Sequence, residues 1–199
     1  MLIVVTGAAG FIGSNIVKEL NRRGHYDIIA VDNLTNGEKC RNLADLDILD
    51  FVDKEDFLQA ILDGDYDNQI DYIFHQAAIS DTTAIEQDIM IKTNVNAYED
   101  LLKIAIKHRA NMIYASSAAT YGDSDRFEVG FEKPNNVYGF SKVMMDNITY
   151  EYLKKDLPIS IVGLKYFNVY GPKEFFKNKT ASMVVQFGHQ ILKGLTPKL

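Results

Sequence analysis

The sequence predicts an α/β protein built on a doubly wound parallel sheet, and three observations carry that reading. Short continuous apolar runs alternate with longer amphipathic stretches, as expected of strands buried on both faces between covering helices. A glycine-rich turn, Thr6-Gly7-Ala8-Ala9-Gly10-Phe11-Ile12-Gly13, joins the first run to the first helical stretch. The next run, Ile28-Ile29-Ala30-Val31, closes on an acid, Asp32.

Taken in order, Leu2-Ile3-Val4-Val5 reads as the first strand, and the helix after the glycine turn runs through about Arg23. In a turn of this kind Gly7 allows the tight bend, Gly10 lets backbone approach a pyrophosphate, and Gly13 lets helix pack on strand. Strand, glycine turn, helix and a second strand ending in an acid together mark a dinucleotide site. Asp32 stands where a carboxylate grips the adenosine ribose diol, which favours NAD. Asn33, Lys39 and Lys54 follow closely. Each lysine either answers a 2′-phosphate or is solvated surface charge, so the residues leave NAD and NADP both open.

Asn42 to Leu46 reads as a third strand and Asp53 to Leu62 as a short helix opened by acids. Tyr72-Ile73-Phe74-His75 is the fourth strand. The small residues of Gln76-Ala77-Ala78-Ile79-Ser80 after it let a cofactor lie against backbone. A long helix follows, roughly Ile85 to His108, in which Asn94 either bonds inward or faces solvent. Met112-Ile113-Tyr114-Ala115 is the fifth strand, with Ser116-Ser117 at its carboxyl end. A polar loop, Asp123 to Asn136, precedes a helix from Tyr138 to about Lys155, stopped by Pro158. Ile159 to Leu164 makes the sixth strand, Phe167 to Pro172 a loop, and Ser182 to Lys193 a last helix.

The chemistry centres on Tyr138 and Lys142. At i and i+4 of a helix they share a face, so phenol and ammonium converge on one ligand. A free tyrosine titrates near ~10, and a nearby cation favours the phenolate and makes it a better base. Ser117, just upstream, supplies a hydroxyl for the substrate oxygen. A surface helix with an unrelated Tyr and Lys is the bland alternative; the glycine turn at the amino terminus argues against it.

At 199 residues the chain suits one domain, or one and part of another. Its net charge of −6 argues against nucleic acid as the main partner. The lone Cys40 excludes an internal disulfide, and four scattered histidines have no zinc spacing, so no metal is expected. The amino-terminal apolar run lacks a basic flank and is broken by glycines, unlike a secretory signal. No uncharged run approaches a membrane span. A cytoplasmic location is expected.

With both halves in view the chain resembles the extended short-chain dehydrogenases/reductases, the nucleotide-sugar epimerase and dehydratase superfamily, whose fold is Rossmann-like. The glycine turn, Ser117…Tyr138…Lys142 and Tyr166-Phe167-Asn168-Val169-Tyr170-Gly171-Pro172 carry the resemblance, which covers nearly the whole chain. Dehydratases of that superfamily carry Asp-Glu after the serine; here Ala118-Ala119 stand there, and an elimination lacks its acid. Phe11-Ile12-Gly13-Ser14-Asn15, Tyr114 to Gly122, and Glu132-Lys133-Pro134 resemble the branch of ADP-glycero-manno-heptose 6-epimerases.

That resemblance implies tightly held NADP, with NAD the lesser candidate, and puts Asn33 and Lys39 at the 2′-phosphate. It implies conversion of ADP-D-glycero-β-D-manno-heptose to its L-glycero epimer through a transient 6-ketone, for lipopolysaccharide core synthesis. Tyr138 and Lys177 are then a pair of bases, Ser117 holds the substrate oxygen, and Lys142 holds the nicotinamide ribose. Val169 joins the cofactor contacts, with Phe11 and Ile12 of the glycine turn; Asn168, Lys179 and Gln186 join the substrate contacts. The resemblance further implies a homo-oligomer, a pentamer. Residues 1–166 form the NADP-binding domain. Residues 167–199 begin a substrate-binding region that is expected to be incomplete, since family members continue further. The alternatives are a UDP-sugar 4-epimerase using NAD and an inactive NADP-binding fragment.

Overall fold

The computed structural model describes residues 1–66 and 69–198, with the side chains of 178–180 outside the description. One six-stranded parallel sheet organises it, in the order β3-β2-β1-β4-β5-β6. The strands are β1 (Leu2–Thr6), β2 (Ile28–Asp32), β3 (Asp50–Asp53), β4 (Ile70–His75), β5 (Asn111–Ser117) and β6 (Ile161–Tyr166). The strand order reverses beside β1, between β2 and β4, and the carboxyl ends at that reversal face the glycine turn. Ligands bind at such a switch point in sheets of this class.

Side-chain alternation along β1 explains the double winding. Val4 joins a core with Ile29, Ile73, Leu102, Met112 and Met145, whereas Ile3 and Val5 join Val17, Ile28 and Ala30 on the other face. Helix α1 (Phe11–Arg22) covers the second face; α4 (Ala97–His108) and α5 (Val137–Leu153) cover the first. β2 is buried at every position, the burial expected of a continuous apolar run.

Three elements differ from the sequence reading. Asn42 to Leu46 is not a strand: Gly37–Asn42 forms a 3₁₀ turn, and β3 lies further on at Asp50–Asp53. Asn42 is fully buried and its amide donates to the Ala9 carbonyl at 3.0 Å, so this segment braces the glycine turn instead of pairing in the sheet. The long helix is divided into α3 (Gln87–Met90), a π-helical turn over Ile91–Asn96, and α4. Strand β6 is shifted two residues toward the carboxyl terminus of the expected run, bringing Lys165 and Tyr166 level with Ser116 and Ser117. Helix α2 (Lys54–Asp63) begins as expected, with the Asp53 carboxylate accepting from the Glu55 amide. Helix α6 (Met183–Leu192) is likewise capped, by Ser182.

Candidate active site

The glycine turn is a bare backbone cradle. Gly7 adopts φ +70°, and a Cβ there would lie 2.7 Å from the Ala77 nitrogen. A Cβ on Gly13 would lie 2.1 Å from the Gly7 carbonyl oxygen, so the start of α1 sits against the turn with no room for a side chain. Phe11, Ile12 and Gly13 form the first turn of α1, whose amides point at the space a pyrophosphate would fill. The arrangement fits the phosphates of a dinucleotide.

Next to the cradle, the Asp32 carboxylate is 8% exposed and both its oxygens are engaged. Oδ2 accepts from the Ala9 amide at 2.9 Å, and Oδ1 from the Asn33 amide and the Lys39 ammonium, each at 2.7 Å. Lys39 also donates to the Asn33 carbonyl at 3.2 Å. It is therefore no solvated surface lysine; it is paired with the Asp32 carboxylate. Lys54 is exposed one residue beyond Asp53, the partner of Asp32 across the sheet.

The 76–80 segment leaves β4 beside Gly7. Ala77 nitrogen donates to Thr6 Oγ1 at 3.4 Å, and Ile79 nitrogen to Asn94 Oδ1 at 2.8 Å. Asn94 is fully buried and bonds inward; the solvent-facing reading is overturned. Its amide donates to the Ile79 carbonyl at 3.0 Å and to Ser141 Oγ at 3.1 Å, tying this segment to α5. The side-chain amide of Gln76 is buried without a hydrogen-bond partner in the ligand-free chain.

On the other side of the site, Ser117 closes β5 and Tyr138 opens α5, whose start is capped by Asn136 Oδ1 accepting from Gly139 nitrogen at 2.7 Å. The Ser117 side chain neighbours the Tyr138 phenol and acts on its ionisation. Burial raises the Tyr138 phenol above its ordinary value, and the Ser117 hydroxyl opposes that. Lys142 lies 5.8 Å over the Tyr138 ring and is 1% exposed. Its ammonium donates to the Ala115 carbonyl at 2.7 Å. Burial lowers Lys142 to about 8, with Asp146 acting in the opposite direction. The Ser117 hydroxyl thus favours the phenolate, and the Lys142 ammonium stands 5.8 Å from the same ring.

Lys177 lies in the 3₁₀ turn Phe175–Thr180, its ammonium 5.6 Å from the centre of the Phe11 ring. That turn is docked across the glycine turn. Asn15 donates to the Pro172 carbonyl at 3.0 Å, Lys173 to the Asn42 carbonyl at 2.6 Å, and Arg41 stands 4.7 Å over the Phe175 ring. The buried Glu174 carboxylate accepts from Gly171 nitrogen at 2.8 Å and Ser182 nitrogen at 2.7 Å, clamping both ends of the segment. Val169 lines an open cleft of about 580 Å³ with Phe11, Ile12 and Ile16. This cleft lies along α1, and Ser117, Tyr138 and Lys142 are not among its lining. Asn168 is exposed, and Gln186 bonds back to the Ala181 carbonyl at 2.8 Å. The Lys179 side chain lies outside the described residues.

Several polar residues around the site were not anticipated. His75 is buried, with Nδ1 2.7 Å from Thr6 Oγ1; burial first and the Lys142 charge second lower it to about 3. The pairing of Asp146, Lys165 and Glu132 escaped because these partners are distant in sequence, and that of Glu174 because its partners, Gly171 and Ser182, lie in a loop with no periodic pattern. For Asp146 a signal existed: it follows Tyr138 and Lys142 at helical spacing. Among the described residues no cluster of His, Cys, Asp and Glu has metal-binding geometry, and no helix is long and apolar enough to cross a membrane.

Comparison with known proteins gives this geometry its context. Residues 3–199 match the NAD dependent epimerase/dehydratase family model. The chain is similar to the ADP-L-glycero-D-manno-heptose-6-epimerase of Helicobacter pylori, at 37% identity and a TM-score of 0.82 over 96% of this chain and 63% of that one. It is also similar to the UDP-glucose 4-epimerase of Thermotoga maritima, solved with UDP-glucose, at 29% identity and a TM-score of 0.81 over 98% of this chain and 64% of that one. The UDP-glucuronic acid 4-epimerase of Bacillus cereus, solved with NAD, shows 25% identity and a TM-score of 0.79 over 100% of this chain and 66% of that one. The chain thus spans about two thirds of the length of these solved relatives. With nearly all of its residues matched and the cradle and Ser-Tyr-Lys cluster in place, the chain belongs to the NAD-dependent epimerase/dehydratase family within the extended short-chain dehydrogenases/reductases.

Proposed function

We propose that the protein epimerises ADP-D-glycero-β-D-manno-heptose at C6, with bound NADP, for lipopolysaccharide core synthesis in the cytoplasm. The observation that carries this reading is the placement of Lys177 over Phe11 of the glycine turn, on a segment clamped by Glu174. A second base beside the cofactor cradle, in addition to Tyr138, suits a substrate presented in two orientations. The 37% identity to a heptose epimerase points the same way.

Gly7, Gly10 and Gly13 hold the pyrophosphate of the dinucleotide, and Gln76 to Ser80 line its nicotinamide half. Lys39, by neutralising Asp32, lets Asn33, Lys39 and Lys54 receive a 2′-phosphate, which favours NADP. When bound, the dinucleotide supplies a reversible hydride acceptor. Ser117 hydrogen-bonds the C6 oxygen of the heptose while Tyr138 takes the hydroxyl proton of one epimer. The resulting 6-ketone turns within the site, and Lys177 returns a proton to the oxygen in the opposite orientation. Lys142 fixes the nicotinamide ribose and, already shielded from water, adds positive charge next to Tyr138. Asn168, Lys179 and Gln186 contact the sugar nucleotide. Ala118 and Ala119 supply no acid to expel a leaving group, which favours epimerisation over dehydration.

Tyr138→Phe is expected to lower turnover of both epimers by about 10²- to 10⁴-fold, and Lys177→Met to reduce it comparably. Full turnover in Lys177→Met would contradict the two-base scheme. A UDP-sugar 4-epimerase using NAD is the second reading, favoured by the similar TM-score of the Thermotoga maritima enzyme.

A further inference from the structure

Behind Ser117 and Tyr138 lies a line of charges that this reaction does not itself use. Asp146, one helical turn beyond Lys142 on α5, is 5% exposed. Its Oδ1 accepts from the Tyr114 hydroxyl at 2.8 Å, and its Oδ2 from Ser116 Oγ at 2.9 Å and Lys165 Nζ at 2.6 Å. Lys165 comes from β6, where it is level with Ser116. The same ammonium donates to Thr120 Oγ1 at 3.1 Å, and that hydroxyl donates to the Ser117 carbonyl at 2.7 Å. Lys165 also pairs with Glu132 Oε1 at 3.2 Å and stands 5.1 Å over the Tyr121 ring. Glu132 belongs to the loop that runs through Pro134 into Asn136, the cap of α5.

One ammonium therefore joins both halves of the reacting pair. Through Asp146 and Thr120 it holds the strand end that carries Ser117; through Glu132 it holds the loop that starts the helix carrying Tyr138. Burial works against the Lys165 charge, yet the Asp146 carboxylate keeps its ionisation above the ordinary lysine value. A buried ion pair is a poor device for stability alone, because well-packed apolar residues of the same volume do as well or better. What it adds is direction, since each oxygen and each N–H has a fixed partner.

We propose that Lys165 is a positioning residue for the Ser117–Tyr138 pair, acting through Asp146, Thr120 and Glu132. The inference rests on the reading above only in taking Tyr138 as the group that moves the proton. It assigns Lys165 no contact with substrate or cofactor. The ionisable groups of the network and its neighbours include Tyr114 on β5, Tyr121 in the turn after it, Lys142 and Asp146 on α5, Lys165 on β6 and Glu132 of the loop, with His75 on β4 within reach of the Lys142 charge.

The test is the ionisation of Tyr138, followed by NMR on the purified chain with ring-carbon-labelled tyrosine, the resonance being assigned by its loss in Tyr138→Phe. Lys165→Met is expected to raise the Tyr138 midpoint by about half a pH unit or more, because the Ser117 hydroxyl that holds it down is no longer fixed. The double variant Asp146→Asn/Lys165→Met removes the buried charge that Lys165→Met alone leaves at Asp146, so that only the Glu132 carboxylate of the network stays charged. It is expected to regain the melting temperature lost in Lys165→Met and to keep the raised midpoint. Lys165→Arg, which retains the charge and the donors, is expected to stay nearer the native midpoint. Glu132→Gln, which leaves the Asp146–Lys165 pair intact, keeps the test open should the other variants not fold; a smaller shift in the same direction is expected. In turnover, Lys165→Met should lower kcat about 10- to 100-fold with KM within about twofold. A native midpoint in the folded double variant, or in Glu132→Gln where only that variant folds, would overturn the proposal and leave the network purely structural. If the native chain converts neither heptose epimer, the functional reading fails while the tyrosine titration still decides this one.

Discussion

The interior of the sheet and its β6 edge are built differently. Around β1 and β2 the chain is self-contained: Val4, Val5, Ile28 and Ala30 are 0% exposed, and the glycine turn is closed by backbone contacts. Around β6 and α6 the same kinds of side chain stand in the open, with Val162 46%, Leu164 39% and Leu192 86% exposed, and no residue of α6 is buried. What holds the 171–182 segment is polar: Glu174 on its two flanks, Lys173 on Asn42 and Asp45, Asn15 on Pro172. The cofactor cradle thus rests on packing, whereas Lys177 depends on a few directed bonds. Cradle variants should act through the fold and carboxyl-terminal variants through local geometry.

The sharpest test of that contrast is Gly13→Ala. Alanine favours a helix over glycine by ~1 kcal/mol, so on propensity alone the change should stabilise α1. With a Cβ forced to 2.1 Å from the Gly7 carbonyl oxygen, the expected outcome is instead a loss of about 3 kcal/mol, together with loss of dinucleotide binding. Denaturant midpoints and a binding titration check both; a stabilised variant would break the packing account.

A pH test follows from His75. In the fold it is neutral, with its value lowered to about 3 from 6.5. The unfolded chain takes up that proton below 6.5, so stability is fully present above this value and falls as the pH drops from 6.5 toward about 3. The slope from this one site is at most ~1.4 kcal/mol per pH unit. Native and His75→Gln chains compared at neutral and mildly acidic pH should show a flatter dependence in the variant.

These two sites also show what the sequence made legible. The glycine turn and the Tyr138–Lys142 spacing could be read directly because each is fixed by a few adjacent residues. Strand β3 could not: Asp50-Phe51-Val52-Asp53 has only two apolar residues, and the Asn42 to Leu46 stretch offered a competing pattern. The inward turn of Asn94 and the Asp146–Lys165–Glu132 line depend on partners 15 to 47 and 19 to 33 residues away, beyond any local periodicity. Lys39 was left between two roles because its answer lies in the closing of a turn onto Asp32, which composition does not encode.

Smaller effects sharpen the comparison further. Lys39→Met leaves the Asp32 charge unpaired, and its expected outcome is about a tenfold loss of NADP affinity relative to NAD, or ~1.4 kcal/mol, in parallel titrations with the two dinucleotides. Leu192→Ser, in the exposed α6, is expected to change stability by no more than about 0.5 kcal/mol. Leu102→Ala, in the packed core, should cost roughly 2–5 kcal/mol in the same denaturation experiment. Equal losses in these two would erase the contrast between the interior of the sheet and its β6 edge.

The most direct test of the functional claim is to incubate the purified chain with each ADP-heptose epimer separately and, in parallel, to identify by mass the nucleotide released on denaturation. The account predicts that NADP is released and that both incubations converge on one mixture of the D- and L-glycero forms. Release of NAD, with conversion of UDP-glucose to UDP-galactose and none of the heptose, would contradict it.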